Sequence, residues 1–586
     1  MRLTKAAAAA AAAALLMTAA CTGGSSSGDR EPPTTGLGAD PDSGKDPSAE
    51  APLKIPDGAS EGGTLSVQSA RAPSTLDPTQ AYGKDSTGIL SGLVTRSLTQ
   101  LVHGDGKMVL IPDMATDLGR PNADNTAWTF TLRQGLKYED GSHVRADDVA
   151  YAIKRSFADK ELPGGPTYNQ RYFLDGDTYQ GPFSDGDDYA GVVVDGNDIT
   201  IRMSRPFPDM DYYASFPAFT AIPEDEDNRD NPADYGEHPL ATGPYKFADY
   251  EAGSSLSLVR NDKWEPRTDP GRIQSVAGWE FDFGQSSAKL ERAIVDDSGS
   301  ARTTLTYDSV APATYRAIQE EGGDRLVAGS LPCTYLWYLD MRKIKEIEVR
   351  RALGLAYPYK DAWRAAGELV GVTRQGGTSI LPPGTAGRRE FDPLGNQGTE
   401  SDPKRSRALL RKAGYDPGEY EITWYFSSDD VTSVDVKDVV VSGLEAGGFK
   451  ASPIVSSSAS VRADEKENDA PVNVIANTGW CSDWPTGGSW FPAQWDGDLV
   501  GERGRPNPSM IDEPALDSEQ DRIQELGPEE AADAWGRFDE KLMTEYYPAV
   551  NIGYSGQVMV FGSEVGGMEH DNVRGMPTFN QMYVIE

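Results

Sequence analysis

The chain has 586 residues and a formal net charge of −36, with 38% hydrophobic and 25% charged residues. Single hydrophobic cores stop growing near about 250–300 residues, so this length excludes one core and predicts two or more lobes. The composition is typical of a globular protein, and the strong acidity repels nucleic acid, so we expect no nucleic-acid partner.

The first 21 residues have the pattern of a bacterial export signal. Arg2 and Lys5 precede an apolar run over residues 6–17, which is shorter than the ~20 residues that a membrane-spanning helix needs. Small residues then lead to Cys21, an arrangement that resembles the bacterial lipobox, in which the cysteine is acylated. We therefore expect an exported protein that lipidated Cys21 anchors to the outer face of the cytoplasmic membrane. An ordinary signal peptide followed by a chance cysteine is the alternative.

Residues 22–61 form a segment that is rich in Gly, Ser, Pro and Asp. Because the segment has almost no aliphatic side chains with which to form a core, it predicts a flexible tether. No later stretch offers 18 consecutive apolar residues, and we expect the rest of the chain to lie outside the membrane.

The periodicity of apolar residues predicts the elements of the remaining chain. It predicts strands at 63–69, 128–133, 192–194, 199–203, 245–247, 256–259 and 421–426, and helices at 90–101, 147–157, 349–356, 404–413 and 531–545. The helix at 404–413 has Asp402 to cap its N-terminus and Gly414 just past its end. Strands and helices mix without strict alternation, so the predicted fold class is α+β with mixed sheets.

Signatures of catalysis and metal binding are scarce. The four histidines are far apart in the sequence and lack metal-ligand spacing. The GxSxG match at 24–28 lies in the tether, without the strand and helix that would present a nucleophile. The glycine-rich stretch at 443–450 lacks the Gly-Lys-Ser/Thr ending of a phosphate-binding loop. We therefore expect no enzyme, no cofactor and no metal site.

The chain has three cysteines, of which Cys21 is assigned to lipid. The other two, Cys333 and Cys481, are separated by 148 positions. Exported proteins commonly pair their cysteines, so a single disulfide is one interpretation. Two buried free thiols are the other, because spacing alone does not show that the two residues lie close together.

Several ordered motifs resemble the bacterial extracellular solute-binding proteins of family 5, the oligopeptide, dipeptide and nickel-binding type. The most specific is WTFTLRQGLKYEDGSHVRADDV at 128–149, which reads as a strand, a turn and an acidic helix start. Supporting matches are LDP at 76–78, TGPYK at 242–246, EVRRAL at 348–353 and ALLRKAG at 408–414. The resemblance extends from about Gly62 to the C-terminus, although Arg145 stands where a helix-capping Thr is usual.

The resemblance implies a two-lobe clam-shell of the periplasmic-binding-protein type, with an extra subdomain inserted in lobe one. Transferred by matching segments, lobe one comprises 62–104, 223–332 and 556–586, the inserted subdomain 105–222, and lobe two 333–555. It also implies the substrate-binding component of an ABC importer, which captures short peptides between the lobes and delivers them to a permease driven by an ATPase. We expect a monomer.

The segment GWCSDW at 479–484 resembles the family motif W-C-x-D-aromatic. In the peptide-binding branch the aspartate pairs with the ligand's α-ammonium group, and Asp483 occupies this position. The resemblance also implies a disulfide between Cys333 and Cys481. The backbone of Gly479 and Cys481 is then the edge to which an extended peptide adds as a β-strand.

Other candidate ligand contacts rest on position alone. Trp480 and Trp484 could form the walls of side-chain pockets or pack in the core. Residues Tyr82 to Ser86 and Tyr554 are weaker candidates from lobe one. No basic residue stands beside the motif to bind a ligand carboxylate, and Arg462 is one candidate for this role.

Two alternatives keep the same fold. The ligand could be a metal chelate, an opine-like compound or an oligosaccharide, although a sugar has no need of an ammonium-binding aspartate. The protein could also sense an extracellular peptide without importing it, a role that the sequence does not distinguish from import.

Overall fold

Three large hydrophobic clusters organise the protein in a computed structural model, which describes residues 42–322 and 325–586. They are cluster A (residues 65–94, 241–307 and 559–584), cluster B (mainly residues 98–221) and cluster C (residues 336–550). The predicted export signal, with Cys21, and the first part of the predicted tether lie outside the described residues.

The described residues form short strands and helices in mixed order. The strands are β1 (Gly44–Lys45), β2 (Thr64–Gln68), β3 (Thr99–Gly104), β4 (Lys107–Pro112), β5 (Arg120–Pro121), β6 (Ala127–Thr131), β7 (Val192–Asp195), β8 (Asp198–Arg202), β9 (Tyr245–Glu251), β10 (Ser255–Arg260), β11 (Gly278–Asp282), β12 (Thr304–Leu305), β13 (Leu326–Leu339), β14 (Arg374–Gln375), β15 (Glu421–Ser427), β16 (Lys450–Ser456), β17 (Val474–Cys481), β18 (Ala549–Val560), β19 (Val565–Gly566), β20 (His570–Asp571), β21 (Met576–Pro577) and β22 (Tyr583–Val584). The helices are α1 (Lys84–Ile89), α2 (Ala146–Arg155), α3 (Tyr168–Tyr172), α4 (Met210–Tyr213), α5 (Ser287–Asp296), α6 (Pro312–Gly322), α7 (Ile347–Ala356), α8 (Tyr359–Ala365), α9 (Pro403–Lys412), α10 (Val431–Ala446), α11 (Val461–Glu465), α12 (Phe491–Gln494), α13 (Pro514–Gln524) and α14 (Pro528–Lys541). Short π-helical turns follow α1 at Leu90–Val94 and α14 at Leu542–Tyr546.

Most of the elements predicted from the sequence are confirmed. The predicted strands are present as β2, β6, β7, β8, β9, β10 and β15, and four of the predicted helices as α2, α7, α9 and α14. Asp402 caps α9, since its carboxylate accepts a hydrogen bond from the backbone N–H of Arg405 at 2.9 Å. Gly414 follows α9 with a φ of 96°, a left-handed conformation that glycine adopts without strain.

The helix predicted at 90–101 is wrong in its second half. Helical structure ends at Val94, and residues 99–104 form β3. This strand pairs with β4 through a tight turn in which Asp105 and Gly106 both have positive φ, the geometry of a type I′ hairpin. Pairing of β3 with β4 is therefore favoured over the helix that the spacing of the apolar residues predicts.

Each cluster takes buried side chains from its own sheet. Cluster A includes residues of the five-stranded sheet β12-β2-β11-β10-β9, in which β2 runs parallel to both neighbours. Cluster B includes residues of the antiparallel sheet β5-β6-β8-β7 and of the β3-β4 hairpin. Cluster C includes residues of the parallel pair β15-β16 and of helices α7 to α10 and α12 to α14.

Two long strands, β13 and β18, pass between cluster A and cluster C. They pair antiparallel from Leu326 opposite Val560 to Tyr338 opposite Ala549. The sheet order β14-β18-β13-β17 places β17 at an edge, where it pairs with the second half of β13. The segment with the candidate ligand motif is therefore an edge strand that lies against the connection between two clusters.

The predicted tether at 22–61 differs from the structure in its second half. β1 adds to β4 in parallel, and Lys45 Nζ lies 2.5 Å from the carboxylate of Asp211. The backbone N–H and the hydroxyl of Ser43 both donate to the carbonyl of Gly384. These contacts use backbone groups and one ion pair, so a prediction based on the lack of apolar side chains does not detect them.

A buried ion-pair network fixes the loop that precedes α1. Arg155, at the end of α2, is fully buried, and its guanidinium donates to both carboxylate oxygens of Asp77 and of Asp227. Asp77 also accepts a hydrogen bond from the backbone N–H of Thr79 at 2.8 Å. The network therefore ties a helix of cluster B to the turn that leads to Tyr82.

Replacing Arg155 with Ala should lower the free energy of unfolding by about 3–5 kcal/mol, because it leaves two buried carboxylates without a cation. Arg267→Ala is the matched control: the Arg267 side chain is 79% exposed beside Glu265, and its loss should cost less than about 1 kcal/mol. Urea denaturation measures both. Equal costs for the two variants would show that the buried network does not stabilise the fold.

Candidate functional site

A cleft of about 370 Å³ lies beside the C-terminal end of β17. This volume is within the range of about 300–1,000 Å³ that is usual for small-molecule sites. Its lining comes from distant parts of the chain: Tyr82, Lys84, Thr87, Leu101, Ser215, Phe216, Leu331, Pro332, Cys333, Cys481, Ser482, Asp483, Val573 and Arg574. The predicted ammonium ligand, Asp483, is therefore part of a cleft large enough for a small ligand.

Asp483 is held by hydrogen bonds from two distant segments of the chain. It lies in the loop after β17. Its Oδ2 accepts a hydrogen bond from the hydroxyl of Tyr82 at 2.8 Å and another from the hydroxyl of Tyr168. Tyr82 belongs to the loop before α1, and Tyr168 is the first residue of α3. Both bonds end on the same oxygen, and Asp483 Oδ1 has no hydrogen bond to any described residue.

The electrostatics of this carboxyl group are set by burial. Burial raises the pKa of Asp483 above its ordinary value, while the hydrogen bonds from Tyr168 and Tyr82 act in the opposite direction. No Lys, Arg or His side chain in the described part of the chain forms an ion pair with it. Burial and the negative charge of Asp483 raise the pKa of both tyrosine hydroxyls, so these remain protonated donors.

Tyr168 was missed by the reasoning from sequence. It lies in a short helix of a region rich in Gly and Pro, 315 positions before Asp483, and no local pattern indicates that the two meet. Tyr82 was a candidate from lobe one by its position in the chain alone. The turn fixed by Asp77 and Arg155, described above, is the feature that brings Tyr82 to the cleft.

Trp484 anchors the motif in the core. Its side chain is 1% exposed and packs in cluster B against the rings of Tyr168, Phe207 and Tyr213. The indole N–H donates to Asp209 Oδ2 at 3.0 Å, and Asp209 also accepts from the hydroxyl of Thr486. Of the two interpretations for Trp484, core packing is the one that these contacts favour.

Trp480 and Gly479 lie within β17, outside the lining of the cleft. The indole of Trp480 packs against cluster C and donates to the carbonyl of Ser489 at 3.0 Å. Gly479 pairs with Tyr335 of β13, and a Cβ at Gly479 would lie 2.4 Å from the carbonyl oxygen of Thr334. Close strand packing therefore accounts for the glycine.

The structure joins Cys333 and Cys481 in a disulfide, with an S–S distance of 2.04 Å. The two residues face each other across the β13–β17 pair, and both line the cleft. The bridge thus attaches the end of the edge strand to β13, immediately before Asp483.

Three of the other candidates lie outside this cleft. Ser86 is fully buried, whereas its neighbour Thr87 lines the cleft. The hydroxyl of Tyr554 is bonded to Ser379, and this tyrosine lines a different cavity of about 450 Å³. Arg462 lies on α11 and does not line the cleft, but two other cationic residues do, Lys84 and Arg574.

Two features are absent from residues 42–322 and 325–586. No group of three or more His, Cys, Asp or Glu side chains there is arranged to hold a metal ion. In that same part of the chain no helix combines the length and the apolar character needed to cross a bilayer.

Comparison with known proteins identifies the family to which the chain belongs. The family model of bacterial extracellular solute-binding proteins, family 5 (middle part), matches residues 109–498, about two thirds of the chain. The chain therefore belongs to this family, as the sequence motifs predicted. Among curated relatives, the glutathione-binding protein GsiB of Salmonella typhi is 25% identical over 446 residues, covering 72% of this chain and 77% of that protein. Protein XP55 of Streptomyces lividans is 29% identical over 212 residues, 34% of this chain and 33% of that protein.

Solved structures show the same architecture. Clavulanic acid biosynthesis oligopeptide binding protein 2 superposes with a TM-score of 0.80 at 24% identity, covering 92% of this chain and 99% of that one. The unliganded open form of the periplasmic murein tripeptide binding protein MppA superposes with a TM-score of 0.73 at 19% identity and the same coverage. The predicted fold class, a two-lobe protein with mixed sheets, is confirmed.

Replacing Trp484 with Ala should lower the free energy of unfolding by about 3–5 kcal/mol, because it opens a cavity in cluster B. Asp483→Asn is the neighbouring control and should change stability by less than about 1 kcal/mol, since the amide oxygen still accepts from the two tyrosines. Urea denaturation compares them. Native stability of the Trp484 variant would mean that this side chain does not act as a core anchor.

Asp209 should make stability depend on pH. It is 3% exposed, and burial raises its pKa from 3.8 to about 6. The folded state therefore binds this proton more tightly than the unfolded state, so the contribution to stability is complete below about pH 4 and is lost as the pH rises through about 6. The loss is about 3 kcal/mol, because the pKa of Asp209 is raised by about two. Between pH 4 and 7, the free energy of unfolding obtained from denaturation curves should decline less in Asp209→Asn than in the wild type. An equal decline with pH in the two proteins would contradict this assignment.

Proposed function

We propose that this protein is the substrate-binding component of an ABC importer and captures short peptides with a free N-terminus. The observation that carries the proposal is the carboxylate of Asp483. It is partly buried in a cleft of ligand size, lacks a cationic partner among the described side chains, and keeps one oxygen free of hydrogen bonds.

A ligand ammonium group satisfies what this carboxylate lacks. A carboxylate offers about four lone-pair positions, and the two tyrosines use positions on Oδ2 only. An ammonium group at Oδ1 forms a charge-assisted hydrogen bond, about twice as strong as one between neutral groups. Burial makes an unpaired charge costly, so a ligand without the cation is disfavoured.

The edge strand supplies a second mode of contact. β17 ends the sheet β14-β18-β13-β17, and its last residue, Cys481, lines the cleft two positions before Asp483. A peptide that extends along this edge pairs with backbone groups, which bind any sequence alike. Backbone pairing together with one charge contact gives affinity without selecting particular side chains.

The relatives support a peptide-like ligand. The names of these relatives and structures refer to glutathione, oligopeptides and a murein tripeptide, and a further similar structure is a Helicobacter pylori protein in complex with the peptide STSA. The motif aspartate in this chain matches such ligands, because each peptide with a free N-terminus carries an ammonium group.

The cellular arrangement follows from the same proposal. Lipidated Cys21 anchors the protein, as a monomer, to the outer face of the cytoplasmic membrane, and residues 22–41 connect the anchor to the lobes. Ligand binding favours the closed form by contacting more than one cluster at once, and the closed form delivers the ligand to a permease that an ATPase drives. The protein itself performs no catalysis.

Replacing Asp483 with Asn should weaken the binding of peptides with a free N-terminus by about 10- to 100-fold, since one charge-assisted bond is lost. Peptides released from the purified protein are identified by mass spectrometry, and the tightest binder is measured by calorimetry. N-acetylation of this peptide should weaken wild-type binding similarly and should add little in the Asn variant. Equal affinities of wild type and variant would contradict the assignment of Asp483.

The affinity of the wild-type protein should also fall on acidification. Because burial raises the pKa of the empty carboxyl group and the bound ammonium favours its charged form, binding weakens once the pH falls below the raised pKa. This decline should begin at a higher pH than for an ordinary aspartate, and it should be absent in Asp483→Asn. If the affinity does not depend on pH in either protein, the charge of Asp483 does not contribute to binding.

A further inference from the structure

Residues 43–46, which we call the strap, are attached to the edge of cluster B. β1 pairs in parallel with β4, and the backbone N–H of Asp46 donates to the carbonyl oxygen of Leu110 at 2.9 Å. The side chain of Leu110 is fully buried in cluster B. Hydrogen bonds between strands therefore fix the backbone of the strap, although the strap has no apolar side chain to bury.

Lys45 adds an ion pair to this attachment. Its Nζ lies 2.5 Å from Asp211 Oδ2 and 4.5 Å from the centre of the Tyr212 ring. The side chain of Lys45 is 22% exposed and that of Asp211 is 5% exposed. Removal of the cation would leave a buried carboxylate without its counter-charge, which is costly.

The other end of the strap is bonded to a loop that belongs with cluster C. Ser43 is buried, and its backbone N–H and its hydroxyl both donate to the carbonyl oxygen of Gly384, at 3.1 Å and 2.9 Å. A few residues before Gly384, Ile380 and Leu381 are fully buried in cluster C. The strap therefore contacts cluster B through β4 and the loop of cluster C through Ser43.

The same loop is bonded to the segment that carries the motif aspartate. The backbone N–H of Ala386 donates to the carbonyl oxygen of Pro485 at 2.8 Å. On either side of Pro485, the indole of Trp484 and the hydroxyl of Thr486 donate to the carboxylate of Asp209, which directly precedes α4. The strap, the loop and the motif segment are thus joined to one another and to the elements of cluster B.

Lys45 also acts on the carboxylate that holds the motif segment. Burial raises the pKa of Asp209, and the charge of Lys45 acts in the opposite direction. Asp211, two positions further along the chain, is a second negative charge that raises this pKa. One cation of the strap therefore compensates two buried carboxylates, and its loss would destabilise both.

We propose that the strap holds cluster B against cluster C and thereby keeps the cleft beside Asp483 closed around a bound ligand. The clusters cannot move apart at this place unless the bonds of Ser43 to Gly384 or the pairing of β1 with β4 are broken. The strap therefore stabilises the closed arrangement and slows the release of a ligand. This inference goes beyond the proposed function, because the strap would hold the clusters together whatever the ligand.

A second explanation for the strap is that it only covers the edge of β4. Exposed strand edges can pair with other chains, and proteins commonly cover them. Such a role needs the pairing of β1 with β4 and gives no reason for the two bonds of Ser43 to Gly384. The two explanations differ in whether loosening the strap affects the loop of cluster C.

Hydrogen exchange of the empty full-length protein, followed by mass spectrometry, tests the strap without a ligand. Residues 43–46 should be protected in the wild type, because the N–H groups of Ser43 and Asp46 have carbonyl partners. In Lys45→Gln, exchange should become about 5- to 30-fold faster at residues 43–46 and also at residues 384–388 and 484–487. The last two ranges are remote in sequence from the substitution, so their response reports on the contact between the clusters.

Further variants assign the effect to individual contacts. Ser43→Ala removes only the hydroxyl bond to Gly384 and should speed exchange at residues 384–388 while β4 exchanges as in the wild type. The effect of Lys45→Gln should be smaller in an Asp211→Asn background, because the buried carboxylate is then absent. Lys54→Gln is the matched control: the Lys54 side chain is 80% exposed, and its loss should change none of these rates.

The release of a bound peptide is the functional measurement. The probes are di-, tri- and tetra-alanine with free termini, and the tightest of them is followed by stopped-flow displacement. Lys45→Gln should raise its dissociation rate about 5- to 30-fold and change its association rate little, because the affinities of related complexes differ mainly in dissociation. Lys54→Gln should release the peptide at the wild-type rate.

The outcomes separate the strap from the proposed function. If Lys45→Gln speeds exchange at residues 43–46 and in β4 alone, the strap only covers a strand edge and the inference is wrong. If exchange also rises at residues 384–388 and 484–487 but peptide release is unchanged, the strap does not control the cleft and the inference is again wrong. If no alanine peptide binds, this result counts against the proposed function, whereas hydrogen exchange still decides whether the strap holds the clusters together.

Discussion

A carboxylate that is partly buried without a cation is the constraint on which the cleft depends. Asp483 lies where the loop after β17 meets the turn before α1 and the start of α3, and its only bonded partners among the described residues are two tyrosine hydroxyls. Burial of such a charge is unfavourable unless its hydrogen-bonding positions are filled. The arrangement is therefore incomplete by itself, which is the basis for our proposal that an ammonium group from a ligand completes it.

The elements around Asp483 hold it in this position. The disulfide attaches the end of β17 to β13, and the next residue, Trp484, is fixed in cluster B by the buried carboxylate of Asp209. On the opposite side, the pairing of Arg155 with Asp77 fixes the turn that carries Tyr82. Buried groups thus provide rigidity, while the residues that face the cleft keep unused hydrogen-bonding capacity.

Such a site also explains how ligand binding can change the shape of the protein. The long strands β13 and β18 connect clusters A and C, so relative movement of the clusters is transmitted through this pair. In the proposed function, a ligand that contacts Asp483 and a second segment of the cleft stabilises the arrangement in which the clusters are close. The shift in population is limited by the difference in affinity between the closed and open forms.

The sequence by itself determined the family, the fold class and most strands and helices, and it singled out Asp483 as a candidate ligand contact. These features depend on local patterns: alternation, helical spacing, caps, and a motif that stays contiguous in the chain. The hairpin at 99–112 was missed, because its pairing through Asp105 and Gly106 competes with a helical spacing that is also local.

Only the tertiary structure decided which residues accompany Asp483. Tyr82 and Lys84 come from one segment, Tyr168 and Arg574 from two others, and no spacing relates them to a motif at 479–484. It also favours a core position for Trp484, for which a pocket wall was an equal alternative from sequence, and it places the candidate Tyr554 in another cavity. The physical reason is that the sequence fixes local conformation, whereas contacts between distant segments depend on how the clusters pack.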